Sequence, residues 1–146
     1  MEHVVVRLED DGYWLDPSAY LAILPSLARD LPPGASEFAL DPQHYDFVSD
    51  RSVHDLWFRS LRLDDADGAA SLSFGHSGEK HAYGLSLVYP GLVRIVVDRQ
   101  RDPGVERLGQ LLLDELRPSP DGFVHEFAMT GGSLLVVARD LEAVWG

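Results

Sequence analysis

Two of the six histidines in the chain are followed directly by a carboxylate, in His54-Asp55 and in His125-Glu126. Imidazole and carboxylate side chains are common ligands of zinc and iron, and they also transfer protons. Consecutive residues of a strand point to opposite faces of the sheet, so neither pair can hold one ion by itself. A site would need His54 and His125 to meet across a sheet. No H-x-H or H-E-x-x-H motif is present, and we therefore predict no metal and no cofactor.

His125 also has a structural interpretation, because it lies between Phe123 and Phe127 in an alternating apolar pattern. This spacing favours a histidine of the core or strand surface that is held by a hydrogen-bond partner. The functional alternative is a small-ligand-binding or metal-dependent enzyme domain, with a pocket at the mouth of the β structure. The residues predicted to line that pocket are His54, Arg94, Glu115, His125 and Glu126.

Two further stretches resemble catalytic or metal-binding motifs but depart from them. The segment 75–79 would be a nucleophile elbow only with glycine two places after its serine, and Glu79 stands there. The acidic run Asp65-x-Asp67-Gly68 would be a calcium loop only with acids at positions 63 and 74, which are Leu63 and Phe74. We therefore predict no catalytic residues, and we expect the acidic run to be a solvated turn.

Four arginines flank a polar loop that we predict over 98–105. We expect them to pair with neighbouring acids, the alternative being a clamp on a phosphate or carboxylate. These arginines are Arg94, Arg99, Arg101 and Arg107.

Charge and composition restrict the classes of partner. The chain has 146 residues, a net charge of −12 and no cysteine, which fits one domain over 1–146 without disulfides. Nucleic acid and anionic membrane are disfavoured because both require a basic surface. A basic protein remains as the expected partner. An acidic N-terminus without an apolar run, and cations that are nearly all arginine, lead us to expect a bacterial, cytoplasmic protein.

Our leading functional hypothesis is a non-catalytic acidic module that binds another protein, similar in action to an immunity protein or an antitoxin. Complementary charge would give such a module its rate of association and its selectivity. The acids predicted to form the interface are Asp64, Asp65, Asp67, Asp114 and Glu115. A third hypothesis is a homo-oligomer held by the last strand and Trp145.

The longest β signal lies in 83–98, where two apolar arms are separated by Pro90-Gly91. The pattern predicts a central hairpin in which Tyr89 faces Leu92. Both arms are apolar on both faces, so we expect other elements to cover each side.

The helix that we predict lies in the N-terminal third. A first strand is predicted over His3–Leu8, and Asp16-Pro17 is typical of a helix start. We expect Pro25 to kink or split the helix and Pro32-Pro33-Gly34 to end it.

The remaining chain alternates as strands do. We predict a strand over His54–Leu63 with a bulge near Arg59-Ser60, a half-buried strand over 70–76, and a hairpin whose turn is Thr130-Gly131-Gly132. The segment 107–116 fits a helix or a buried strand, and its β neighbours favour the strand. The sum is an α+β, mostly β chain: an antiparallel sandwich or partly open barrel of about seven to eight strands with one N-terminal helical segment.

Overall fold

A computed structural model describes residues 1–99 and 107–146 of the chain. The loop predicted over 98–105, including Arg101, lies mostly outside the described residues. None of the described helices is long and apolar enough to cross a membrane. In chain order, the elements are β1 (Val5–Glu9), β2 (Gly12–Asp16), α1 (Ser18–Leu27), α2 (Pro33–Leu40), β3 (Trp57–Asp64), β4 (Ala69–Gly75), β5 (Leu85–Tyr89), β6 (Leu92–Arg99), β7 (Leu111–Ser119), β8 (Gly122–Met129), β9 (Gly132–Ala138) and β10 (Glu142–Trp145).

The described strands form three antiparallel sheets and no closed barrel. The hairpin β1–β2 is one sheet, the second has the order β10-β5-β4-β3, and the third has the order β6-β9-β8-β7. The prediction of a mostly β, antiparallel chain is confirmed. The predicted number of strands is too low, since the described part holds ten strands, and it holds two short helices instead of one helical segment.

The predicted central hairpin is wrong. Tyr89 ends β5, which pairs with β4 and β10, whereas β6 pairs with β9 in the other four-stranded sheet. At Pro90-Gly91 the chain therefore passes from one sheet to the other, and Gly91 takes the left-handed φ of 64° that the passage requires. Leu92 N–H donates to the Gly68 carbonyl and Arg139 N–H donates to the Gly91 carbonyl. Arms that are apolar on both faces fit a hairpin and a crossing equally well, and only the pairing of distant strands distinguishes them.

The helices also differ from the prediction. Pro25 lies inside α1, and the helical segment ends at Leu27, before the Pro32-Pro33-Gly34 run. Pro33 instead begins α2, because the first helical position needs no backbone N–H donor. The Asp140 carboxylate accepts from the Gly34 and Ala35 N–H groups at 3.0 and 3.1 Å, and so caps this helix from the end of β9.

The predictions for the later strands hold better. The register between β3 and β4 shifts between Phe58 and Ser60, which confirms the predicted bulge. Leu111–Ser119 is a strand and not a helix. The β8–β9 hairpin turns through Thr130-Gly131, as predicted.

One core fills the space between the two four-stranded sheets. Phe74 of β4 packs against Phe127 of β8, and Tyr89 of β5 stacks on Phe123, with ring centroids 5.7 and 6.2 Å apart. The inner faces of both sheets thus meet through large apolar side chains, and any polar group among them must find its partner there.

Candidate functional site

Four polar side chains in the core are linked by a continuous series of hydrogen bonds. His44 Nε2 lies 2.7 Å from Asp114 Oδ1, and His125 Nε2 lies 2.7 Å from Asp114 Oδ2. The Tyr89 hydroxyl lies 2.9 Å from His125 Nδ1. His44 Nδ1 donates to the Phe38 carbonyl at 3.0 Å. We call His44, Asp114, His125 and Tyr89 the core network.

Four different parts of the fold contribute these side chains. Tyr89 closes β5, Asp114 lies on β7 and His125 on the neighbouring β8, while His44 comes from the loop after α2. Phe127 pairs with Asp114 across the β7–β8 ladder, so both side chains point into the core. Each member of the core network is at most 2% exposed, and solvent does not reach it.

The hydrogen-bond partners of the two imidazole rings assign their protons. Neutral His125 donates from Nε2 to Asp114 and accepts the Tyr89 hydroxyl proton at Nδ1. His44 faces two acceptors, the Phe38 carbonyl through Nδ1 and the Asp114 carboxylate through Nε2. Both contacts are favourable only if one additional proton lies between His44 and Asp114. The core network therefore contains a buried ion pair that shares a proton.

The electrostatics agree with this assignment. Burial alone would raise the pKa of Asp114, but the charge of His44 and the hydrogen bonds from both imidazoles hold that pKa well below its usual range. Burial lowers the pKa of His125 and keeps its ring neutral, although Asp114 opposes this shift. In contrast, burial raises the pKa of the Tyr89 hydroxyl. The network is suited to hold the core together, and in this structure it is not exposed to a substrate.

Glu115, the next residue along β7, points to the opposite face of the sheet and is also fully buried. Its carboxylate accepts from the backbone N–H groups of Glu2, His3 and Val4 at 2.9, 2.8 and 2.6 Å. Arg117 donates to it at 2.7 Å. Burial raises the pKa of Glu115, but these donors outweigh burial and lower it overall. The carboxylate thus holds the chain before β1 against the outer face of β7.

His54 covers the free edge of β7 together with two tyrosines. Its Nδ1 donates to the Leu112 carbonyl at 2.9 Å. The Tyr45 hydroxyl donates to the Asp114 carbonyl, and the Tyr20 hydroxyl donates to the Leu116 carbonyl while accepting from the Leu116 N–H. Side chains therefore satisfy backbone groups that an edge strand would otherwise expose.

The five residues predicted to line a ligand pocket do not converge on one cavity. Glu115 and Glu126 are brought together, since Arg117 donates to both. His125 points into the core on the other side of the same sheet, and Arg94 is exposed on β6 with no salt bridge to any described residue.

The predicted interface acids divide into two groups. Asp64, Asp65 and Asp67 are exposed on the turn between β3 and β4. Asp114 and Glu115 are 0% exposed, so neither side chain is at the surface in this structure. Two adjacent acids in a sequence are typical of an exposed segment, but here each carboxylate has enough hydrogen-bond donors to be buried.

An open groove adjoins the exposed acidic turn. Ser60, Ser73 and Ser86 lie side by side across β3, β4 and β5, because they are paired in register. The groove has a volume of about 660 Å³, and Leu63 stands 63% exposed at its rim. We call it the serine groove; its lining is Ser60, Arg62, Leu63, Asp64, Asp65, Ser71, Leu72, Ser73, Ser86 and Val88.

Sequence reasoning missed three of the residues that organise these clusters. His44 lies in a stretch without a clear period, Tyr89 was interpreted as an apolar hairpin residue, and Arg117 stands just beyond the ambiguous segment 107–116. The one available signal was the pair Asp114-Glu115 inside an apolar run, since two acids in a buried strand require donors. That signal does not say which donors.

No group of three or more histidine, aspartate or glutamate side chains in the described part of the chain is arranged to hold a metal ion. The polar clusters are accounted for by their mutual hydrogen bonds. Comparison of the chain with protein-family models, with curated proteins and with solved structures finds no match.

Proposed function

We propose that the protein is a non-catalytic acidic module that binds a basic protein through the turn between β3 and β4 and the serine groove beside it. One observation carries the proposal. The core network and the cluster around Glu115 use their polar groups in hydrogen bonds with each other, whereas Asp64, Asp65 and Asp67 are exposed next to an open groove. A concrete form is a bacterial, cytoplasmic immunity or antitoxin-like protein that covers the basic surface of a nuclease.

The groove offers contacts of the kind that protein partners use. Its serine hydroxyls donate and accept hydrogen bonds at low cost in side-chain entropy. Exposed Leu63 supplies apolar contact area, and Asp64 and Asp65 at the end of the groove outnumber its one cation, Arg62. A basic side chain that enters from the acidic end would meet complementary charge, which increases the rate of association and depends on salt.

The test is affinity capture from lysate of the source organism with three matched baits. The first bait is the wild type, and the second carries Asp64→Asn, Asp65→Asn and Asp67→Asn. The control carries Glu9→Gln, Asp10→Asn and Asp11→Asn, which remove the same charge from another exposed hairpin turn. Each bait is washed at low and at high salt.

We expect a basic protein that the wild type and the control retain at low salt, and that the variant of the β3–β4 turn loses. Purified partner should then bind the wild type at least about tenfold more tightly than that variant, since a few charge pairs are removed. If both variants lose the partner equally, net charge and not this surface is responsible, and the proposal fails. It also fails if no protein is retained.

A further inference from the structure

Strand β6 is the edge of its sheet. It pairs with β9 on one side, and at its start Leu92 N–H donates to the Gly68 carbonyl at 2.9 Å. From Val93 to Asp98 no described backbone group other than those of β9 bonds to the strand. Val93, Val96 and Val97 are 53, 37 and 43% exposed. An exposed apolar edge of this kind is a template for another strand.

The sequence of this edge is complementary to itself. Arg94, Val96 and Asp98 share the outer face, because they pair with Val137, Leu135 and Ser133 of β9 in register. If a second β6 pairs antiparallel about Val96, Arg94 of each copy lies opposite Asp98 of the other. Val96 then meets its own copy, and Ile95 lies opposite Val97. Neither Arg94 nor Asp98 has a salt bridge within the described residues, so both are available.

We propose that β6 binds β6 of a second copy of this chain, which gives a two-fold symmetric dimer with one continuous eight-stranded sheet. Such an interface is isologous: the same patch serves both subunits, and each charge pair occurs twice. The serine groove lies on the other four-stranded sheet, across β3, β4 and β5.

The edges of β7 and β10 lack these properties. Tyr20, Tyr45 and His54 cover the edge of β7. Strand β10 has an exposed edge residue, Val144, but Glu142 is its one charged side chain, so an antiparallel copy offers no cation. A dimer through the last strand would therefore lack the charge complementarity of β6.

The test measures molar mass by size-exclusion chromatography with light scattering, and the dissociation constant by sedimentation equilibrium. The variants are Arg94→Asp, Asp98→Arg and the double swap that combines them. Val96→Lys places like charges on the two-fold axis, and Val144→Lys is the control at the exposed edge of β10. Thermal unfolding of each variant verifies that it folds. We expect each variant to fold because the substituted side chains are exposed.

We expect a wild-type dimer of twice the 16.2 kDa monomer mass. Each single charge variant creates two like-charge pairs and should raise the dissociation constant roughly tenfold or more. The double swap should restore dimerisation, Val96→Lys should abolish it, and Val144→Lys should leave it unchanged. A monomer at every concentration overturns the proposal, and so does a dimer that Val144→Lys disrupts. A double swap that stays monomeric contradicts the register.

Discussion

Asp114 and Glu115 are neighbours on β7 and are both fully buried, yet the two faces of the strand hold them by different chemistry. On the core face, Asp114 lies between the imidazoles of His44 and His125. On the outer face, Glu115 receives three backbone N–H groups and Arg117. Imidazole nitrogens can donate or accept, depending on their protons, whereas backbone N–H groups and the guanidinium group can only donate.

This difference determines which replacements each face can accept. A neutral amide in place of Asp114 could donate to His44 and accept from His125, with His44 losing its additional proton. A neutral amide in place of Glu115 would direct its own N–H groups at donors in either orientation. The core face can therefore accept an amide in place of its carboxylate, and the outer face cannot.

Removal of the Asp114 side chain should have the largest effect. Asp114→Ala leaves two buried imidazoles without their acceptor, and breaking a buried ion pair costs about 3–5 kcal/mol. Urea unfolding followed by circular dichroism measures this loss, with the exposed Asp65→Ala as the control within about 0.5 kcal/mol of wild type. A loss below about 1 kcal/mol for Asp114→Ala would mean that the core network does not stabilise the fold.

Glu115→Gln should come next, with a loss of about 2–3 kcal/mol, because buried N–H donors lose a charged acceptor. The same unfolding measurement applies, and Glu142→Gln on exposed β10 is the matched control. Amide exchange at Glu2, His3 and Val4 should accelerate in Glu115→Gln and not in the control. Unchanged protection there would refute the idea that Glu115 holds this segment.

Acid should begin to weaken the core face at a higher pH than the outer face. The pKa of His125 is lowered by burial, so its contribution to stability is complete above the unfolded value of 6.5 and declines as pH falls below it. The pKa values of Asp114 and Glu115 are also lowered despite burial, and their contributions decline only below the ordinary values of 3.8 and 4.5. We expect a loss on the order of 1 kcal/mol between neutral pH and about pH 5.5, then a steeper loss. Stability that stays constant to pH 5 would contradict a neutral His125.

The smallest effect is expected for Asp114→Asn, at about 1 kcal/mol or less, since every partner of the core network keeps a hydrogen bond. The steep acid loss should shrink in this variant, because one carboxylate is gone. The informative result is which amide variant, Asp114→Asn or Glu115→Gln, loses more stability. If Asp114→Asn proves more damaging than Glu115→Gln, the shared proton between His44 and Asp114 is assigned wrongly.

Local patterns predicted much of the β framework. Alternation over 70–76, the bulge near Arg59-Ser60 and the turn at Thr130-Gly131 are all found. These features depend on residues within a few positions of one another. The Pro90-Gly91 crossing was missed because a hairpin and a crossing have the same local sequence, and the start of the second helix was missed because Pro33 can end or begin a helix.

The sequence by itself determined that the chain is mostly β, acidic and without cysteine, and it pointed to His125 as a histidine with a partner. Only the tertiary structure decided which partner that is, which acids are buried and which edge stays open. His44 and Asp114 are 70 positions apart, and Glu2 and Glu115 are 113 apart. A carboxylate is buried only where donors meet it, and such donors are brought together by the packing of sheets and loops that no local pattern records.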